Sequence, residues 1–347
     1  MTTNRPTTRP TRFRPTRRVL VTGGAGFIGS HYVRSLLGAD GPGGTAVTVL
    51  DKLTYAGVRA NLDAVRGHPG FAFVRGDVCD APLVGELVAA HDEVVHFAAE
   101  SHVDRSIDRP ADFVRTNVLG TQTLLEAAIR HRTELFVQIS TDEVYGSAES
   151  GSWREDSPPD PNSPYSASKA AADLLALACH RTHGLDVRIT RCSNNYGPHH
   201  FPEKLIPLFI TRLLDGLPVP LYGDGEHIRD WLHVDDHVRG IELVRRRGRA
   251  GEIYHIGGGT ELSNRELTGR LLKAMDADWD LVEWVEDRKG HDRRYSLDCS
   301  KARTELGYRP RTDFASGLEE TIAWYRDNRP WWEPLTRSAL VHPAVPR

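Results

Sequence analysis

The sequence predicts an α/β protein: a doubly wound parallel sheet followed by a smaller, mixed α/β C-terminal domain. Three observations carry this reading. Short apolar runs alternate with helical patterns from residue 18 to about 195, a glycine-rich turn joins the first run to the first helix, and after residue 195 prolines, aromatics and charges become frequent. Repeated strand–helix–strand units imply parallel strands covered on both faces.

The elements follow in order. Strands are expected at 18–22, 46–51, 71–77, 93–99, 135–140 and 186–191, with helices at 30–37, 118–131 and 164–182. The first domain spans 17–195. Segments 232–258 and 297–330, the latter a late strand and helix, are expected to return to it. Residues 196–231 and 259–296 form the second domain. Residues 1–16 carry Arg5, Arg9, Arg12 and Arg14 among Thr and Pro. That tail lacks the apolar core of a signal peptide, its prolines oppose a targeting helix, and a disordered basic tail is expected.

A length of 347 residues with 39% hydrophobic content suits two domains with a filled core. The net charge of −3 excludes a general basic field for nucleic acid or a membrane surface. No stretch approaches the ~18 consecutive apolar residues of a membrane span. Cys79, Cys179, Cys192 and Cys299 show no zinc-type spacing, which points to reduced thiols in a cytoplasmic protein. His199-His200 and the pair His233 and His237 lack the glutamate of a zinc-protease helix, and no metal is expected.

Gly23, Gly26 and Gly29 follow a strand and open a helix. Glycines there permit a tight turn and let backbone N–H groups reach a pyrophosphate. Asp51 ends the next strand 22 residues after Gly29, where an acid binds the adenosine ribose of a dinucleotide. A carboxylate there repels a 2′-phosphate, so NAD is expected over NADP in a Rossmann-type domain. Asp77 is a candidate for the adenine edge. The plainer alternative is that the glycines serve packing alone.

Thr141-Asp142-Glu143 says most about chemistry, because it emerges at the carboxyl end of a buried strand. Adjacent acids raise one another's pKa, and a pair held at different values can run acid and base steps together. The plainer alternative is an N-cap followed by first-turn acids. Successive strand residues face opposite ways, so joint action requires the strand to break at Asp142. Tyr165 and Lys169 lie one helical turn apart. A neighbouring ammonium and a cationic nicotinamide ring would lower the tyrosine's pKa from about 10.

The blocks TGGAGFIGSH, DKLTYAG, HFAAESHVDRSI, STDEVYG, NSPYSASKA, RCSNNYGP, PEKLIPLF, LYGDGEHIRDW and DRKGHDRRYSLD carry a resemblance from about residue 18 to 334. The chain resembles the extended short-chain dehydrogenase/reductase superfamily, and within it the dTDP-glucose 4,6-dehydratase family. The resemblance implies that Tyr165, aided by Thr141 and Lys169, takes the C4 hydroxyl proton while hydride passes to NAD. Glu143 then removes the C5 proton, Asp142 protonates the departing C6 hydroxyl, and hydride returns to C6. It also assigns Phe27, Ile28, Lys52, Leu53, Thr54, Val78, Ala98, Ala99, Ser101, Thr116 and Asn195 to the cofactor. To the nucleotide sugar it assigns Ser101, His102, Asn194, Lys204, Leu205, Pro220, Tyr222, Arg229, Asn264, Arg288, His291 and Tyr295, with Lys204, Arg229 and His291 supplying charge or donors to the diphosphate. Helices 118–131 and 164–182, apolar on more than one face, imply a homodimer. Rival readings are a UDP-sugar 4-epimerase or decarboxylase of the same fold, and an NAD-sensing regulator. The regulator class would be expected to lose Tyr165 or Lys169. Thymidine and uridine differ here by one methyl, too little for the residues alone to decide.

Overall fold

Runs of valine, leucine and isoleucine, buried on both faces, build the central sheet. The computed structural model describes residues 16–340 except Asp40 and Pro42, so residues 1–15 of the basic tail lie outside the described residues. In chain order the strands are β1 (Arg17–Thr22), β2 (Thr45–Asp51), β3 (Phe71–Arg75), β4 (Glu93–His96), β5 (Leu135–Thr141), β6 (Val187–Cys192), β7 (Asn194–Tyr196), β8 (Val219–Tyr222), β9 (Ile228–His233), β10 (Ile253–Ile256), β11 (Glu261–Ser263) and β12 (Val282–Val285). Seven of them form one sheet in the order β10-β6-β5-β4-β1-β2-β3, with every pairing parallel. The winding reverses between β1 and β4, and a ligand crevice belongs outside the carboxyl ends there.

Strand alternation assigns the two faces. Val19, Val21, Val137 and Ile139 pack with helix α1 (Phe27–Leu37), whereas Leu20 and Phe136 face the opposite layer. That layer contains α2 (Ala81–Ala89), followed in the chain by the short helices α3 (Val103–Asp108) and α4 (Pro110–Phe113). It is completed by α5 (Gly120–His131) and α6 (Pro164–His183). A π-helical turn, Val114–Leu119, precedes α5, so the regular helix starts two residues later than its apolar pattern. The chain leaves β4 at His96 rather than Ala99, because the Ala98 N–H turns to the Thr22 hydroxyl instead of a ladder partner.

The second core gathers α7 (Leu205–Leu214), β9, and beyond α8 (Val234–Arg247) also α9 (Asn264–Ala274). α8 itself packs through Val234, Val238 and Ile241 on the α1 face of the sheet. Two small sheets, β11-β9-β7 and β12-β8, complete this lobe. Among the described residues no strand follows residue 297; Leu297 makes only a single bridge to Trp153. The late helices divide: α10 (Ser300–Leu306) packs on β10, while α11 (Phe314–Asp327) packs on α7 and β9. The last helix, α12 (Arg329–Leu340), buries Trp332, and its Trp331 indole donates to the Asn61 side chain at 2.9 Å. No helix of the described residues is long and apolar enough to cross a membrane.

Candidate active site

A cavity of about 450 Å³ runs along the carboxyl ends of the strands, between the two lobes. Its first end is made of backbone. Gly23 adopts φ +69°, and a Cβ there would sit 2.5 Å from the Ala98 nitrogen. A Cβ on Gly29 would meet the Gly23 carbonyl at 2.4 Å. α1 therefore starts hard against β1, and no side chain caps its N-terminus, leaving first-turn N–H groups for an anionic ligand. Asp51 is buried and accepts from the N–H groups of Ala25 (2.9 Å) and Leu53 (2.8 Å). Burial raises its pKa and those two bonds work against the rise. A backbone cradle at a helix start, with a fixed acid beyond it, fits NAD. Lys52 pairs with Asp77 at 2.7 Å. Burial works to raise the Asp77 carboxyl, but the Lys52 bond and the Cys79 N–H leave it below its usual value.

The middle of the cavity holds the acids. β5 ends at Thr141, and Asp142–Tyr145 forms a single 3₁₀ turn. Thr141 caps it, its hydroxyl accepting from the Glu143 N–H at 3.2 Å. The cap and the paired acids are thus one device: the cap breaks the strand at the required residue, and both carboxylates line the cavity. Burial raises both carboxyls, Asp142 far more. Glu143 and Asp230 add to the burial of Asp142, whereas Lys204, Arg229 and Arg288 oppose the burial of Glu143. The pair is split into a proton holder and a readier carboxylate.

Tyr165 and Lys169 project from the first turns of α6, which Ser163 caps and Pro164 opens. The Lys169 ammonium donates to the Ile139 carbonyl at 2.6 Å. Burial pushes the Tyr165 phenol well above 10, with the Glu143 charge next; the Thr141 hydroxyl acts in the opposite direction.

Cations and unpaired polar atoms gather at the far end. Lys204 donates to the Ser101 carbonyl at 2.7 Å, and Arg229 to the Asp292 carbonyl at 2.9 Å. Arg229 also lies 4.2 Å over the Tyr295 ring, and Arg288 lies 5.1 Å over Tyr222. Buried atoms of His102, Asn194 and Asn264 have no hydrogen-bond partner, which suits a polar ligand between them. His291 stacks on His227 with centroids 3.7 Å apart. Burial, with Arg288 and Arg229 beside it, lowers His291 to about 3; its Nδ1 donates to the Asp287 carboxylate at 2.6 Å, so the neutral ring carries no charge and leaves Nε2 as an acceptor. Ligand atoms of His227, Asp287 and His291 lie within 4.8 Å of one another, but the same arginines oppose a dication there.

Of the residues expected from the sequence, only Leu53 stands off the cavity wall. Its φ of +56° turns its N–H onto Asp51, and its side chain packs in the core. Sequence reasoning missed Asn117, Glu203 and Asp292. Asn117, in the π turn, bonds Glu100 through both backbone groups and the Ser168 hydroxyl at 2.8 Å. Glu203 takes Arg105 at 3.0 Å, and Asp292 accepts from the Tyr295 hydroxyl at 2.8 Å. An asparagine at the head of the apolar 118–131 pattern was the one available signal; acids beside an anion site read as liabilities until their partners are seen.

Comparison with known proteins agrees with this geometry. The family model described as GDP-mannose 4,6 dehydratase matches residues 20–321. A dTDP-glucose 4,6-dehydratase from Streptomyces antibioticus is 67% identical over 332 residues, covering 95% of this chain and 98% of that relative. The solved structure of the Streptomyces venezuelae dTDP-glucose 4,6-dehydratase DesIV, with NAD and TYD bound, is 62% identical with a TM-score of 0.89, covering 92% of this chain and 99% of the other. A UDP-glucose 4-epimerase from Thermotoga maritima, solved with UDP-glucose, shares the fold at 32% identity and TM-score 0.83, over 90% and 99% of the two chains. Fold, cavity and comparisons together establish that the chain belongs to the dTDP-glucose 4,6-dehydratase family.

Proposed function

We propose that this chain converts dTDP-glucose to dTDP-4-keto-6-deoxy-glucose and water by C4 oxidation, C5/C6 elimination and hydride return to C6. The observation that carries the reading is the Asp142–Glu143 pair, turned into the cavity together and held at unequal acidity. NAD, held by the Gly23–Gly29 cradle and Asp51, supplies the hydride acceptor and a positive ring charge beside Tyr165. Tyr165, assisted by Thr141 and Lys169, takes the proton of the C4 hydroxyl. Glu143 takes the C5 proton made acidic by the new ketone, and Asp142 protonates the departing C6 oxygen. Lys204 and Arg229 face the diphosphate, with His291 held beside them by Asp287 and with Tyr222, Pro220 and Leu205 against the base and deoxyribose. Closure of the cavity keeps water from the unsaturated intermediate.

The test is turnover of dTDP-glucose with no added NAD, using substrate deuterated at C4. Product in excess of enzyme, with the label on the new methyl group, supports the proposal. A C4 epimer, or label lost to solvent, overturns it.

Further parts of the reading rest on composition and surface. Residues 17–195, with returns at 232–258 and through α10 (Ser300–Leu306), serve the cofactor, and 196–231 with 259–296 serve the nucleotide sugar, joined by α11 in place of the expected return of all of 297–330. A cytoplasmic homodimer forms through the 118–131 and 164–182 helices, where Leu119 and Leu174 are 52% and 54% exposed. No nucleic acid or membrane partner is involved. A monomer by size exclusion with light scattering would remove the dimer.

A further inference from the structure

Lys169 belongs to a buried network that extends beyond the reacting groups. One helical turn further along α6, on the same face, Asp173 is completely buried. Its Oδ2 accepts from the Ser140 hydroxyl at 2.9 Å and from the Arg191 guanidinium at 2.9 Å. Arg191 is 2% exposed and lies 4.7 Å over the Tyr145 ring, whose hydroxyl meets His255 Nε2 at 2.7 Å. Lys169 and Asp173 therefore grip consecutive residues of β5, the Ile139 carbonyl and the Ser140 hydroxyl, immediately before Thr141-Asp142-Glu143.

We propose that Asp173 is a positioning residue: it is the countercharge of Lys169 and the clamp that fixes the end of β5 against α6. The two residue sets of the reaction, Tyr165 with Lys169 and Asp142 with Glu143, sit on different elements and are registered through this contact. Burial works to discharge Lys169, and Asp173 heads the groups that oppose it, followed by Cys192. Cys192 on β6 is a thiol, pushed up chiefly by burial, and His96 on β4 is neutral, lowered by burial to about 3. Asp142, whose carboxyl burial raises, and Glu143 line the same cavity as Tyr165. Asp173 thus leads the groups that favour the ammonium, acting from one helical turn away, and Arg191, paired with it at 2.9 Å, tempers it.

The experiment compares three variants of the holoenzyme by the pH profile of kcat and by NMR titration of the lysine side chains. Asp173→Asn keeps the shape and removes the charge. The alkaline limb of kcat and the Lys169 titration should both move down by about half a pH unit or more, a roughly threefold loss on the alkaline side, with KM little changed. Arg191→Met removes the tempering charge and should move both upward. Ser140→Ala breaks the clamp alone, so kcat should fall with the limb unmoved. If Asp173→Asn fails to fold, the other two variants decide. An unmoved limb and Lys169 titration in Arg191→Met, or a moved limb in Ser140→Ala, overturns the proposal. The proposal rests on the dehydratase reading for its substrate only; the lysine titration stands without it, so the two failures are distinguishable.

Discussion

On the proposed function, the two ends of the cavity hold a charged phosphate group by opposite means. At the Gly23–Gly29 end the contacts are backbone N–H groups at an uncapped helix start, and side chains are excluded for lack of room. At the far end the contacts are long side chains, Lys204, Arg229 and Arg288, each already engaged with a carbonyl or an aromatic ring. The backbone end is preorganised by local sequence and is spoiled by any added atom. The side-chain end is assembled from several distant segments and is spoiled by losing a partner.

The sharpest break should come between these ends, at the acids. Glu143→Gln should lower kcat by about 10²–10⁴-fold while leaving cofactor retention unchanged, read by steady-state kinetics and by the absorbance of bound nucleotide. Gly23→Ala should do the converse. Its Cβ would overlap the Ala98 backbone, so cofactor is lost on gel filtration and stability falls by ~1–3 kcal/mol in chemical denaturation.

A smaller effect separates function from stability. Burial holds the Asp142 pKa above its unfolded value, so the folded state binds that proton more tightly. The stability this gives is present below the unfolded carboxylate pKa and is lost as pH rises through the folded one. Asp142→Asn should therefore melt higher than the parent at pH 8, by roughly 1–2 °C for each ~1 kcal/mol relieved, with the gap closing toward pH 4. Smallest of all, Lys52→Ala removes a half-exposed ion pair with Asp77 and should change stability by less than about 1 kcal/mol, with any cofactor effect read by dialysis.

The same contrast explains what could be read from the sequence. The glycine cradle, Asp51 and the strand before Thr141 are local patterns, and spacing alone carries them. The break at Asp142 was posed as a requirement, and the Thr141 cap that satisfies it is local too. What escaped is long-range. Leu53 contributes its N–H and not its side chain because a left-handed backbone turns it inward. His291 is neutral because the folded lobe buries it, with Arg288 and the distant Arg229 beside it. The late strand after residue 297 is absent among the described residues because α10 runs into the turn at Gly307 (φ +72°), so the chain reaches β10 with a helix.

The final helix has a mechanical meaning. Trp331 reaches from the C-terminal lobe to Asn61 in the nucleotide lobe, inside an edge-to-face cluster with His199 and Trp324, while Trp332 anchors to the Tyr325 carbonyl. This buckle ties the two lobes together. Swinging the lobes apart as rigid halves would have to tear an indole from its acceptor and wet several aromatic rings, so traffic into the cavity falls to the loops at its rim.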